Sequence, residues 1–186
     1  MKSIKFDISN KRELAYIQEL LVDKPWFDRK NFPIFWPKQT QEIAKEVNRV
    51  KPTIEKSVAI LERKWRAIEK DYIAQVSQFR HAKLATKYIC HISYFGPEGR
   101  YKCPDTLNIR LRTAADKKRV IETIGHELLH LLFNDYFEKN KCSYREREWL
   151  VDNLILKSSL INLFPHYTAQ EIGKPKPKLL ASILNN

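Results

Sequence analysis

Apolar residues recur every three or four positions in long stretches of this chain, and every second position in one shorter stretch. Arg12–Leu21 reads as a short amphipathic helix. Beyond it Pro25, Trp26, Phe27, Phe32, Pro33, Phe35, Trp36 and Pro37 crowd together. Prolines this frequent predict an ordered loop in place of a long helix. The rings are expected to close a core, with a substrate or partner surface as the other reading. Ile54, Val58, Leu61, Trp65, Ile68, Tyr72, Val76 and Phe79 then form one stripe. They predict a backing helix of about 27 residues, which stands alone or follows a break near Pro52. A short coiled-coil seam would have the same rhythm.

The period then changes. Lys87–Phe95 is rich in β-branched and aromatic residues, and Gly96-Pro97-Glu98-Gly99 reads as a turn. Thr106–Arg112 alternates, with Leu107, Ile109 and Leu111 on one side and Asn108, Arg110 and Arg112 on the other. Two strands of a small sheet with one wet face are expected. Thr113 with Asp116 reads as a capping box that opens a helix reaching about Glu138. A second helix is predicted from Tyr144 to Phe164, stopped by Pro165. Lys174-Pro175-Lys176-Pro177-Lys178 resembles a linker before a short apolar end that docks back or recruits a partner.

The expected fold class is α+β, a small, mainly antiparallel sheet packed on helices. Residues 1–80 form a helical and aromatic cover, 81–165 the core and 166–186 a basic tail. The 186 residues suit one compact domain overall.

Composition narrows the function classes. Four glycines argue against a glycine-rich phosphate loop, and 43% hydrophobic residues exclude a wholly disordered chain. No apolar run approaches the roughly 18 residues of a membrane span, and the first residues lack the apolar core of a secretory signal. With three separated cysteines, Cys90, Cys103 and Cys142, this predicts a reduced, cytoplasmic protein whose thiols are inert packing groups. The net charge of +12 is spread along the chain. It is a solvated basic surface or an attraction to nucleic acid.

The chemistry lies in His126-Glu127-Leu128-Leu129-His130. On a helix the two histidines stand one turn apart on one face and can share a metal ion. Glu127 then points to the open side, where it can take a proton from water. Such a motif arises by chance on the order of 0.01 times in a chain of this composition. From Thr123 to Leu131 the only charge is Glu127. Burying these polar groups among apolar neighbours is costly unless something binds them.

These residues resemble the extended signature of the zincin metallopeptidases. The resemblance implies a zincin-like fold, zinc bound by His126 and His130, and Glu127 as catalytic base. A metzincin would need Gly and His where this chain has Phe133 and Tyr136. A peptide deformylase would need a cysteine motif that the surroundings of Cys90 lack. Glu148-Trp149-Leu150-Val151-Asp152, beginning 18 residues after His130, resembles the gluzincin branch, and the small size resembles the minigluzincins within it. This implies Glu148 as third ligand and Asp152 as the carboxylate behind a ligand histidine. The likeness covers roughly residues 85–164. Glu146 competes for the third place, and so does His166, which would give the three-histidine site of SprT-like proteases.

The zincin resemblance also implies that substrate lies along the strand before the active helix, here Leu107, Asn108, Ile109, Arg110, Leu111 and Arg112. His166, Tyr136, Tyr144 and Tyr167 are candidate donors to a developing oxyanion. The expected function is a zinc-dependent peptidase acting on a restricted intracellular peptide or protein target. The expected state is a monomer or weak dimer away from membranes. Two other readings stay open: a zinc-stabilised binding protein, nucleic-acid associated through its charge, and a metal-free helical interaction protein.

Overall fold

The computed structural model describes residues 3–38 and 42–184. Its elements run β1 (Ser3–Asp7), α1 (Asn10–Arg29), α2 (Ile43–Val76), β2 (Lys87–Ser93), β3 (Gly99–Lys102), β4 (Thr106–Arg110), α3 (Ala114–Lys139), α4 (Tyr144–Leu156) and α5 (Pro177–Leu184). A 3₁₀ turn at Ser159–Asn162 follows α4. The fold is α+β, as expected. No helix among the described residues is long and apolar enough to cross a membrane.

The sheet has strand order β1-β2-β4-β3. It is mixed, which corrects the expectation of a mainly antiparallel sheet. The β1–β2 and β2–β4 pairs are parallel, and only β3–β4 is antiparallel. Part of the difference comes from β3, which intervenes between β2 and β4 in the chain so that these two run parallel, and part from β1, which gave no strand signal. Glu69 on α2 accepts the Ile4 N–H at 2.8 Å, and Arg66 donates to the Ile4 carbonyl. These long-range bonds place β1 beside β2, far from it in sequence.

Both sheet faces are covered. Tyr88, Cys90, Ile92, Leu107 and Ile109 pack on one side with Trp65 and Tyr72 of α2 and Ile124 and Leu128 of α3. The other side meets α1. There His91 approaches Glu13 at 2.6 Å, and Ser93 donates to the same carboxylate at 2.8 Å. The expected wet face is therefore buried: Asn108 is enclosed, and Arg110 pairs with Asp116 at 2.8 Å.

Proline does not end α1 where expected. Pro25 lies inside the helix, and Phe27 is buried with Tyr16 and Leu20. Proline costs a helix interior roughly 3 kcal/mol, and burying two or three large rings offsets that. Pro52 likewise lies inside an unbroken α2 whose apolar stripe faces the core.

The N-terminus of α3 forms as predicted. Asp116 N–H donates to Thr113 Oγ1 at 3.0 Å, and Thr113 N–H donates to Asp116 Oδ2 at 2.7 Å. Helix α4 ends at Leu156, short of the expected Phe164. Phe164 turns back onto Gly125 of α3, where even a Cβ would meet its ring at 2.3 Å. The tail is an ordered segment and not a free linker. Lys174 N–H donates to the Arg145 carbonyl, and Leu180 and Ile183 of α5 are buried in the main core. Cys90 and Cys142 are buried, whereas Cys103 is exposed.

Candidate metal centre

Helix α3 carries His126, Glu127 and His130 with little freedom. Leu128, Leu129 and Phe133 bury its core side, and Tyr72 donates to the Gly125 carbonyl at 2.8 Å. Helix α4 delivers Glu148 opposite. Its start is held by Glu146, which accepts the Ser143 N–H at 2.9 Å. Glu146 is thus engaged in capping α4, and Glu148, about half a turn on, faces the histidines.

Three ligand-type side chains converge. His126 Nε2 lies 3.0 Å from His130 Nε2 and 3.1 Å from Glu148 Oε2, and His130 Nε2 lies 3.3 Å from Glu148 Oε1. Tetrahedral zinc with bonds of about 2.0–2.1 Å would set its ligand atoms about 3.3 Å apart. Two imidazoles and one carboxylate, buried and aimed at a common point, can hold a divalent cation. Burial opposes ionisation of Glu148, but the charges and hydrogen bonds of His130 and His126 outweigh it, and its pKa lies well below the usual carboxylate range.

The far side of His126 is tied down. Its Nδ1 lies 2.6 Å from the Tyr167 hydroxyl, which donates to Asp152 Oδ1. Asp152 itself stays 3.5 Å from Nδ1. A relay of Nδ1–H to Tyr167 to Asp152 leaves the Nε2 lone pair facing the ion site. Asp152 thus acts on the histidine through Tyr167, a residue expected among the oxyanion donors. His130 is held differently. The Tyr101 ring stacks on it at 4.8 Å with planes 8° apart, and its Nδ1 has no hydrogen-bond partner.

Glu127 faces a cleft of about 850 Å³. Burial, reinforced by the neighbouring carboxylates of Glu148 and Glu98, pushes its pKa up to about 8 despite the opposing influence of His126. The cleft lies between the strand β3, the start of α4 and the aromatic cover, with Trp26, Phe32 and Pro33 on one wall. The aromatic segment therefore closes a core through Phe27 and also lines the cleft. Trp26 meets Tyr144 edge to face across it at 6.2 Å.

Tyr144 lines the cleft with Glu127 and Glu148 and is 42% exposed. Tyr136 lies elsewhere: its hydroxyl pairs with Ser182 at 2.6 Å and its ring stacks on His81. His166 is exposed and outside the ligand group, its backbone N–H directed to Glu122. The strand expectation is corrected. Residues 107–110 lie in β4 (Thr106–Arg110), which is paired on both sides, so its backbone cannot take up a peptide; of the two edge strands, β1 and β3, it is β3 that borders the cleft. Of the expected substrate strand only Arg110 reaches the cleft.

Sequence reasoning missed Gly99, Tyr101 and Gln170. Gly99 was legible only as a turn residue, Tyr101 sits in a strand too short to show alternation, and Gln170 lies in a segment without periodicity. Gln170 N–H donates to Asp152 Oδ2 at 2.8 Å, and its side-chain NH₂ donates to Glu148 Oε2 at 3.0 Å. No family model matches the chain, and neither a curated protein nor a solved structure matches it.

Proposed function

We propose that this protein is a zinc-dependent peptidase of the gluzincin type, with His126, His130 and Glu148 holding the metal and Glu127 as general base. One observation carries the reading. Glu127, a carboxylate on the helix of both histidines and facing the cleft, stands beside a buried two-histidine, one-carboxylate group. Zinc bound there would act as a Lewis acid toward a carbonyl and bring a bound water's pKa down to roughly 7.

The chain's own residues supply the rest. Glu127 takes the proton of the attacking water and returns it to the leaving amine. The outer edge of β3, whose Gly99, Arg100 and Tyr101 line the cleft, would hold an extended peptide by backbone pairing. Tyr144 donates to the oxygen on which charge develops. The Tyr167–Asp152 relay keeps His126 in the required tautomer.

The test is the Glu127→Gln protein. It is expected to keep one zinc per chain and to lose cleavage of an unfolded protein substrate by about 10²–10⁴-fold. Cleavage at the unaltered rate would overturn the reading. Bound zinc with no cleavage by the unaltered protein or by a Gln170→Ala protein would favour the zinc-stabilised binding protein.

A further inference from the structure

The segment after the 3₁₀ turn runs along α4 as a strap. Tyr167 and Gln170 both bond Asp152. Arg145 Nε donates to the Ile172 carbonyl at 2.7 Å, and Lys174 N–H donates to the Arg145 carbonyl at 2.8 Å. Gly173 lies so close to Trp149 that a Cβ would stand 2.9 Å from the Trp149 Cβ. The strap is seated at both ends, and Gln170 lies between.

The Gln170 carboxamide reaches the ion site itself. Its terminal nitrogen is 3.0 Å from Glu148 Oε2 and 3.4 Å from His126 Nε2. The three ligand side chains stand 3.0, 3.1 and 3.3 Å from one another. The two Gln170 distances fall in the same range, that of edges of a tetrahedron around one cation. A half-turn of the carboxamide exchanges its NH₂ and its oxygen at one place. The NH₂ suits Glu148 alone, and the oxygen suits a cation.

We propose that Gln170 is a removable fourth ligand, which through its side-chain oxygen fills the position that a hydrolytic water needs and keeps the centre latent until the strap lifts. This rests on the metal-centre reading above. A carboxamide is a weaker ligand than imidazole or carboxylate, so a competing donor or a substrate that lifts the strap can displace it.

Cobalt(II) loaded in place of zinc, titrated with azide and followed by its visible absorption, tests this without a substrate. Gln170→Ala is expected to bind azide at least about 10-fold more tightly than the unaltered protein, with a changed cobalt spectrum before azide is added. Gln170→Glu, which restores a ligand oxygen, is expected to keep azide binding weak. Gly173→Leu, which pushes the strap off Trp149 and leaves Gln170 in the chain, is expected to behave as Gln170→Ala does. Equal azide affinity in all four proteins, each holding one cobalt, overturns the proposal and leaves the metal centre intact. Folded protein that takes up no cobalt overturns both.

Discussion

A methyl group on Gly99 would stand 2.6 Å from Glu127 Oε1 and 2.7 Å from Thr123 Cγ2. The backbone of β3 therefore sets where the Glu127 carboxylate of α3 rests. β3 is hydrogen-bonded to β4 along its length and cannot simply retreat. Gly99→Ala should push Glu127 aside and lower peptide hydrolysis on the order of 10²-fold, the cost of a misplacement near 1 Å. Zinc content should stay at one per chain. Loss of zinc as well would show that Gly99 shapes the metal site and does not position Glu127 alone.

Removal of the metal should cost stability, because the native state holds the three ligands together and the unfolded chain does not. With free zinc a thousandfold above its dissociation constant, the gain is roughly 4 kcal/mol. In a chain of this size that is about 8–16 °C in melting temperature. Chelator should remove the difference from the unaltered protein and change nothing in Glu148→Ala. A melting temperature that ignores chelator would argue for the metal-free interaction protein.

Tyr167→Phe breaks the relay between His126 Nδ1 and Asp152 with little change in shape. Zinc affinity should fall about 10–100-fold, as for other groups that orient a ligand from behind. Asp152→Asn should weaken binding in the same direction. A Tyr167→Phe protein with unaltered zinc affinity but slowed hydrolysis would restore Tyr167 as an oxyanion donor.

Asp116 binds the Thr113 and Arg112 N–H groups and the Arg110 guanidinium. Burial alone would raise its pKa, but these partners hold it below the ordinary value of 3.8. A carboxyl whose pKa is depressed on folding stabilises above the unfolded pKa and loses that contribution as pH falls through the folded one. Asp116→Ala should cost about 3 kcal/mol at pH 7, since Arg110 is left buried and unpaired. The gap between the two proteins should narrow below about pH 4. Unfolding measured across pH checks this, and a constant gap would refute the assigned role.

The candidate metal group was legible because it rests on helix geometry. His126 and His130 share a face by spacing alone, and Glu148 and Asp152 share another. The capping box at Thr113 was legible for the same reason, being closed within three residues. What failed was whatever a distant residue decides. β1 exists because α2 presents Glu69 and Arg66 to Ile4, and Pro25 stays helical because Phe27 finds a pocket beside Tyr16 and Leu20.

The chain by itself thus determined the helix pair that carries the ligands, because periodicity and capping act over one or two turns. Only the tertiary structure decided which strand edge borders the cleft, that Tyr167 stands between His126 and Asp152, and that Gln170 lies over the ligands. Those outcomes depend on strand order and on a strap without periodicity. Contacts of this kind join residues tens of positions apart, and local pattern holds no record of them.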